Sequence, residues 1–222
     1  MPVFNEKGTV LQAIKQTLTA DIGKLTKELI VIDDGSNDGT AELLRNIKDK
    51  RVRLFTHQLN RGKGAAIRTG LKAVNGQVLI IQDADLEYDP GEYSLLLAPI
   101  ISGRADVVYG SRFLGSGPHR VLYFWHMVGN KLLTLISNML TNLNLTDMNV
   151  CYKAFTADIA KKIQLRENGF GFDPEFTAKV AKLNCRIYEV GISYFGRKYT
   201  EGKKISWLDG FRHLYSMFRY NL

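Results

Sequence analysis

The segment Val78-Leu79-Ile80-Ile81-Gln82-Asp83-Ala84-Asp85 is a short apolar run that ends in two carboxylates. An apolar run of this length predicts a buried β-strand. Alternate residues of a strand point to the same side, so Asp83 and Asp85 can converge on one divalent cation. Oxygen-only ligands favour Mg²⁺ or Mn²⁺, and substrate phosphates commonly complete the shell of such ions. The segment therefore predicts a metal-bridged diphosphate, and the alternative is an acidic turn or helix cap after a strand.

Strand-like apolar runs alternate with amphipathic helical patterns over the first half of the chain. We predict strands at 3–4, 28–32, 52–56, 77–81 and 106–109, and helices at 9–20, 40–48 and 65–74. This alternation predicts an α/β fold with a Rossmann-like, mainly parallel sheet and helices on both faces. Ligands of such sheets bind beyond the carboxyl ends of the strands. Polar candidates follow four of the predicted strands, at 4–6, 33–34, 83–87 and 110–112.

Length and composition favour one domain over residues 1–222 that binds phosphate-bearing partners. No linker, low-complexity segment or internal repeat divides the chain, and its formal net charge is +8. This excess suits nucleotides, nucleic acid or an anionic membrane face. Cys151 and Cys185 fit neither a disulfide framework nor a metal motif, which favours a reducing cytoplasm. The chain opens on Met1-Pro2-Val3-Phe4, the end of a strand, so we expect residues of a natural first strand to be missing.

Residues 119–145 form an amphipathic segment rich in Leu, Met and aromatic side chains. No run of about 18 apolar residues occurs, so we predict no membrane-spanning helix, and no signal peptide precedes the first strand. One interpretation is a helix in a membrane interface, with Tyr123 and Trp125 near the headgroups and Arg120 and Lys131 at the phosphates. The alternative is ordinary packing against the core.

Three further motifs suggest contacts with a nucleotide. The turn at 32–40 contains Asp33-Asp34, more acid than a turn requires, and a carboxylate there can accept N–H groups of uracil or guanine. The loop at 60–66 is rich in glycine and opens a helix, a favourable place for an anion, although by itself the pattern favours an ordinary loop. The basic loop at 196–204 precedes a C-terminal helix and can close its cations over phosphates, or be simply a solvated surface.

Taken together, these segments resemble inverting family 2 glycosyltransferases of the GT-A fold. The nearest branch contains dolichol-phosphate mannose synthase and bacterial polyprenyl-phosphate relatives. The stretches that carry the resemblance run in the expected order along nearly the whole chain, at 2–6, 31–40, 60–70, 82–90, 107–112, 146–155, 169–175 and 194–205.

The resemblance implies a role for each matching residue. Pro2, Phe4 and Glu6 correspond to the rim of the nucleobase site, Asp34 to its hydrogen-bond acceptor and Lys63 to a base or ribose contact. Asp83 and Asp85 correspond to the metal-binding DxD pair, with Asp85 catalytic, and Glu87 to a third ligand or a solvated residue. Binding of the donor diphosphate is implied for Arg197, Lys203 and Lys204, and binding of the acceptor phosphate for Arg112 and Arg120. Asp147 corresponds to a helix cap or to a catalytic residue near the acceptor.

The function implied is transfer of a hexose from a UDP- or GDP-linked sugar to a polyprenyl or dolichyl phosphate, with Mg²⁺ or Mn²⁺ as cofactor. Its expected location is the cytoplasm, as a peripheral protein on the anionic inner face of the membrane. One alternative is transfer to a saccharide or another hydroxyl, with Asp147 as base. Another is a non-catalytic nucleotide-sugar or nucleic-acid binder, but the sequence lacks a recognisable nucleic-acid module, and its paired carboxylates would repel DNA. The sequence does not establish the oligomeric state.

Overall fold

The computed structural model describes residues 1–115, 120–121, 123–202 and 207–222. Across these ranges the chain forms seven strands and eight α-helices. The strands, β1 to β7 in chain order, are Pro2–Val3, Leu29–Asp33, Val52–Thr56, Val78–Ile80, Val107–Ser111, Lys153–Thr156 and Ile187–Gly191. The helices, α1 to α8, are Val10–Thr19, Thr40–Arg45, Lys63–Ala73, Tyr93–Ile101, Phe124–Thr141, Ala157–Lys162, Phe172–Lys182 and Trp207–Asn221.

The strands form two hydrogen-bonded sheets. The first has the order β1-β2-β3 and is entirely parallel. The second has the order β4-β6-β5-β7, in which β6 is antiparallel to both of its neighbours and β5 is parallel to β7. The predicted α/β class and mixed, largely parallel pairing are therefore confirmed, whereas the single continuous sheet is replaced by two.

Helices cover β2 on both faces because its side chains alternate in direction. Leu29 and Val31 pack with apolar residues of α1 and α2, while Ile30 and Ile32 pack against Ala66 of α3. Every residue of β2 is buried, which explains its continuous apolar sequence. Gly70 lets α3 approach this strand, since a Cβ atom there would lie 2.9 Å from Cδ1 of Ile32.

Helices α5, α7 and α8 pack against one another in the second half of the chain. The helical part of the predicted amphipathic segment is α5, which has a packed side and an exposed side, and the membrane-interface interpretation stays a prediction. Leu133, Ile136 and Leu140 pack against the main core, whereas Trp125 and Met139 are exposed. No helix in the described ranges is both long and apolar enough to cross a bilayer.

Candidate active site

A cleft of about 1090 Å³ lies between the carboxyl ends of the strands and helices α5 and α8. Parallel and mixed α/β sheets place their ligand sites at this edge. Ten of the residues predicted to function line the cleft, namely Pro2, Phe4, Glu6, Asp34, Lys63, Asp83, Asp85, Glu87, Arg112 and Arg197. Pro2 lies on β1 and the other nine come after β1, β2, β3, β4, β5 or β7, so the two sheets together bring them to one place.

Two carboxylates project from the loop that follows β4, and each contacts a cation. Asp83 accepts a hydrogen bond from Lys63 Nζ at 2.9 Å, and Asp85 accepts one from Arg197 Nη2 at 3.2 Å. Arg197 also contacts Glu6 at 3.1 Å and Glu87 at 3.4 Å, so one guanidinium serves three carboxylates. Burial and repulsion from Asp83 and Glu87 raise the pKa of Asp85 to about 7, and the opposing attraction of Arg197 does not offset them. This corner therefore carries more negative charge than its partners neutralise.

Such a corner fits a divalent cation. Its donors are carboxylate oxygens, the ligands that Mg²⁺ and Mn²⁺ prefer, and the raised pKa of Asp85 is the mark of a carboxylate that a further positive charge would stabilise. The part of the chain that the structure describes contains no group of three or more Asp, Glu, His or Cys side chains arranged to hold a metal. A site of this kind therefore relies on Asp83 and Asp85, with phosphate oxygens completing the shell.

Glu87 has a different role from either one that the resemblance suggested. It is 9% exposed, so it is not solvated. Its carboxylate accepts hydrogen bonds from the Tyr194 hydroxyl at 2.8 Å and the Arg197 backbone N–H at 2.9 Å. Because both oxygens are engaged, Glu87 ties the segment 194–197 to the cleft and does not join Asp83 and Asp85 as a third ligand in this conformation.

Asp34 joins the end of β2 to the glycine-rich loop. Its oxygens accept hydrogen bonds from His57 Nδ1 at 2.6 Å, Gly62 N at 2.7 Å and Arg61 N at 3.1 Å. The other ring nitrogen of His57 contacts Thr69 Oγ1 at 2.9 Å, which fixes the imidazole. The sequence analysis missed His57, because its link to Asp34 exists only once β2 and β3 are paired. Asp34 therefore lines the cleft with both of its carboxylate oxygens already engaged by these donors.

Arg112 and Asp147 form a buried ion pair. Arg112 Nε and Nη2 donate to the two oxygens of Asp147 at 2.6 and 2.8 Å, and the backbone N–H of Arg112 adds a third bond. Asp147 is fully buried, whereas Arg112 reaches the cleft. The helix-capping interpretation of Asp147 is therefore wrong, since it caps no described helix. Asp147 lies behind Arg112 and holds the guanidinium in place, and its catalytic role stays a prediction.

The other predicted cations lie away from the cleft or outside the described residues. Arg120 pairs with Glu201 at 2.8 Å and donates to the Gly196 carbonyl at 3.1 Å. This pair is exposed, and Arg120 is not part of the cleft wall, so the structure does not bring it together with Arg112. Lys203 and Lys204 lie outside the described residues.

Several residues of the cleft carried no role in the sequence analysis. Asn149 lies in the loop before β6, Asp173 on α7, and His213 on α8. Asp173 pairs with the fully buried Lys153, which also donates to the Val150 carbonyl. His213 has a recognisable position on an amphipathic helix, yet no sequence spacing indicates that this helix closes the cleft.

Comparisons with known proteins show which family the chain resembles. Residues 1–164 match the family described as Glycosyl transferase family 2. The undecaprenyl-phosphate mannosyltransferase of Micrococcus luteus is 30% identical over 221 residues, which cover 91% of this chain and 85% of that protein. The UDP-N-acetylglucosamine–dolichyl-phosphate N-acetylglucosaminyltransferase of Methanococcus voltae is 25% identical over 236 residues, covering 98% and 92%.

A solved structure has the same fold. Glucosyl-3-phosphoglycerate synthase from Mycobacterium tuberculosis, in complex with Mn²⁺ and UDP-glucose, superposes with a TM-score of 0.77 at 18% identity. The likeness covers 99% of this chain and 76% of that protein. At this identity the likeness shows the fold alone.

Proposed function

Because the chain belongs to glycosyl transferase family 2 and is a glycosyltransferase, we propose that it transfers a hexose from a nucleotide-sugar to a polyprenyl or dolichyl phosphate. Two relatives that align over 91% and 98% of the chain are named for transfer to lipid phosphates of this class. One observation carries the proposal: the acidic corner at Asp83 and Asp85 shares its cleft with the buried cation Arg112 and with Trp125 of an exposed apolar helix.

The acidic corner supports binding of the donor diphosphate. A divalent cation held by Asp83 and Asp85 would stabilise the charge that develops on the departing nucleoside diphosphate. In this structure Lys63 contacts Asp83 at 2.9 Å and Arg197 contacts Asp85 at 3.2 Å. When the carboxylates have another positive partner, both side chains are available to donate to diphosphate oxygens. Lys63 and Arg197 thus contact the carboxylates when no substrate is bound and contact the diphosphate when the donor is bound.

The affinity of this corner for Mn²⁺ is expected to depend on pH. The pKa of Asp85 is raised to about 7, so below pH 7 a proton competes with the metal for this carboxylate. With UDP or GDP present, the affinity should rise about tenfold per pH unit between pH 5.5 and 6.5 and level off above pH 7.5. Isothermal titration calorimetry at several pH values measures it, and a profile that is flat over this range would contradict the role of Asp85.

The acceptor needs positive charge more than it needs a base. A phosphate monoester has its second pKa near ~6, so its oxygen is already largely deprotonated at neutral pH. This oxygen bonds to the anomeric carbon while the bond from that carbon to the diphosphate oxygen breaks and the nucleoside diphosphate leaves with the electron pair, inverting the configuration. Arg112, held by Asp147, can bring the anionic acceptor close to the donor.

Two exposed apolar stripes support a lipid acceptor and an anionic membrane surface as partners. On α8 the stripe comprises Leu208, Phe211, Tyr215, Phe218 and Leu222, and on the neighbouring α5 it comprises Trp125, Leu132, Leu135 and Met139. Their spacing of three, four or seven residues is that of one helix face. Soluble proteins seldom expose a large apolar patch without a partner for it. Trp125 belongs both to this surface and to the cleft, so a lipid in the interface would lie near the cleft.

Replacing Phe211 with serine is expected to weaken binding to vesicles about tenfold. Phe211 is 63% exposed on α8, so its removal takes apolar area away from the proposed membrane contact. Flotation with vesicles of phosphatidylglycerol and phosphatidylcholine measures the change. Ile101→Ser, at the end of α4 with 59% exposure, is the matched control and should bind like the wild type. Equal binding by both variants would contradict a membrane role for α8.

The transfer reaction tests the proposed function directly. Purified protein is incubated with Mn²⁺ or Mg²⁺, labelled UDP- and GDP-hexoses and a short polyprenyl phosphate. A lipid-linked product is expected with at least one donor. Product only on a saccharide or another hydroxyl would overturn the acceptor and leave the family intact. Donor binding without any transfer or hydrolysis would favour a non-catalytic binder.

A further inference from the structure

Two polar side chains on the cleft wall have buried atoms without hydrogen-bond partners. Neither ring nitrogen of His213 has one, although the residue is only 7% exposed, and Asn149 Oδ1 is buried and equally unpartnered. Across the described ranges four buried side-chain atoms lack a partner, and three of them belong to these two residues. Both residues line the cleft. The unmet hydrogen-bonding capacity of the described chain is therefore concentrated at this wall.

Such atoms indicate a ligand because leaving them unmet is costly. A buried donor or acceptor without a partner costs about 1–3 kcal/mol, and folded proteins leave few of them. Asn149 is not free to turn away, since its Nδ2 donates to Asn130 Oδ1 at 3.1 Å and so directs Oδ1 elsewhere. A molecule in the cleft that offers both donors and acceptors would satisfy all three atoms.

The chemistry of these groups selects a neutral, hydroxylated ligand. Burial lowers the pKa of His213, and the opposing effects of Asp173, Asp209 and the nearby Phe170 carbonyl, which does not reach hydrogen-bond geometry, offset it only in part, so the imidazole is neutral at pH 7. A neutral imidazole has one donor and one acceptor, and the amide oxygen is an acceptor. The oxygens of a phosphate are mainly acceptors. A phosphate would therefore place acceptors against two of the three atoms, which are acceptors themselves. A sugar hydroxyl donates and accepts at once and suits each of them.

The two residues line the same cleft as Asp83 and Asp85, together with Asp173 of α7. Behind the cleft, the fully buried Lys153 donates to the carbonyl of Val150, next to Asn149, and to Asp173. The carboxylate of Asp173 in turn acts on the imidazole of His213. A nucleotide-sugar has its neutral hexose directly beyond the diphosphate, which the acidic corner would hold.

We propose that His213 and Asn149 bind hydroxyl groups of the transferred hexose and thereby determine which donor sugar is used. This inference rests on the proposed function for the identity of the donor. It does not depend on the acceptor, since both residues would contact the sugar before transfer.

The test pairs variants of the protein with variants of the donor. His213→Ala and Asn149→Ala are titrated with UDP- and GDP-hexoses, their epimers and deoxy analogues, and with UDP and GDP alone. In the wild type we expect one epimer or deoxy change to weaken binding about tenfold, the value of one hydrogen bond. In the matching variant the same change should have little further effect, while UDP or GDP binds as in the wild type. Unchanged binding of the nucleoside diphosphate also shows that the variant is folded, and His213→Gln provides a second, milder substitution.

A control variant and two possible outcomes test the assignment of His213 and Asn149 to the hexose. Arg219→Ala, on α8 with a side chain that is 48% exposed and belongs neither to the cleft wall nor to the apolar stripes, should keep the wild-type preference among sugars. Variants that discriminate epimers as the wild type does, or that lose affinity for the acceptor alone, would overturn the assignment. Failure of transfer to any polyprenyl phosphate would overturn the proposed acceptor instead, because donor binding is measured without it.

Discussion

Replacing Asp85 with asparagine is expected to lower kcat/KM about 1000-fold with any donor. Asparagine keeps the shape of the side chain and removes the charge that would hold a divalent cation. A cation of this kind contributes several kcal/mol to stabilisation of the leaving group, and about 4 kcal/mol corresponds to a factor of about 1000. Steady-state kinetics with saturating Mn²⁺ measures the loss, and calorimetry should show that Mn²⁺ no longer tightens binding of UDP or GDP.

The same variant separates loss of metal from loss of folding. In the protein without metal, burial and neighbouring carboxylates raise the pKa of Asp85 from 3.8 to about 7. A raised carboxylate pKa means that this group contributes its full stability below pH 4 and loses it as the pH rises through 7. Above pH 7, Asp85→Asn should therefore unfold no more readily than the wild type. Asp158→Asn is the matched control, since the side chain of Asp158 is exposed on α6, and this variant should retain activity. An active Asp85→Asn protein would refute the metal role.

Local sequence patterns were sufficient to predict the first half of the fold. The strand Val52–Thr56 lies where the apolar run predicts it, and β2 and β4 differ from their predicted bounds by one or two residues. The carboxyl ends of these strands then place the predicted residues in one cleft, because a sheet fixes the relative positions of its strands. The antiparallel strand β6 was not predicted, since its pairing with β4 and β5 joins residues 44 to 78 positions apart in the chain.

Long-range pairing also explains what the sequence did not reveal about the site. His57 orients Asp34 across 23 positions of sequence, and Asp147 holds Arg112 across 35. The periodicity of hydrophobic residues along the sequence does not indicate such pairs. The segment at 119–145 illustrates a different limit, because α5 has both a packed side and an exposed side, and its hydrophobic pattern fits either interpretation. Residue type identified the candidates, whereas the partner of each candidate decided its role.

Replacing Asp147 with asparagine is expected to lower the free energy of unfolding by about 3 kcal/mol. The substitution leaves the guanidinium of Arg112 in a buried site without a compensating charge, and breaking a buried ion pair from one side costs roughly 3–5 kcal/mol. Urea denaturation followed by circular dichroism measures the change. Arg112→Met combined with Asp147→Leu should cost less than the sum of the two single changes, because neither charge is then left alone.

This result would also decide between the two chemical roles considered for Asp147. A general base acting on a hydroxyl acceptor would lose kcat on conversion to asparagine while the stability stayed close to that of the wild type. A residue that positions Arg112 should lose stability and acceptor affinity together, and donor binding by calorimetry should stay the same in whatever protein remains folded. Asp147 is fully buried behind Arg112, and a phosphate acceptor arrives with its nucleophile already ionised, so the second pattern is the one we expect.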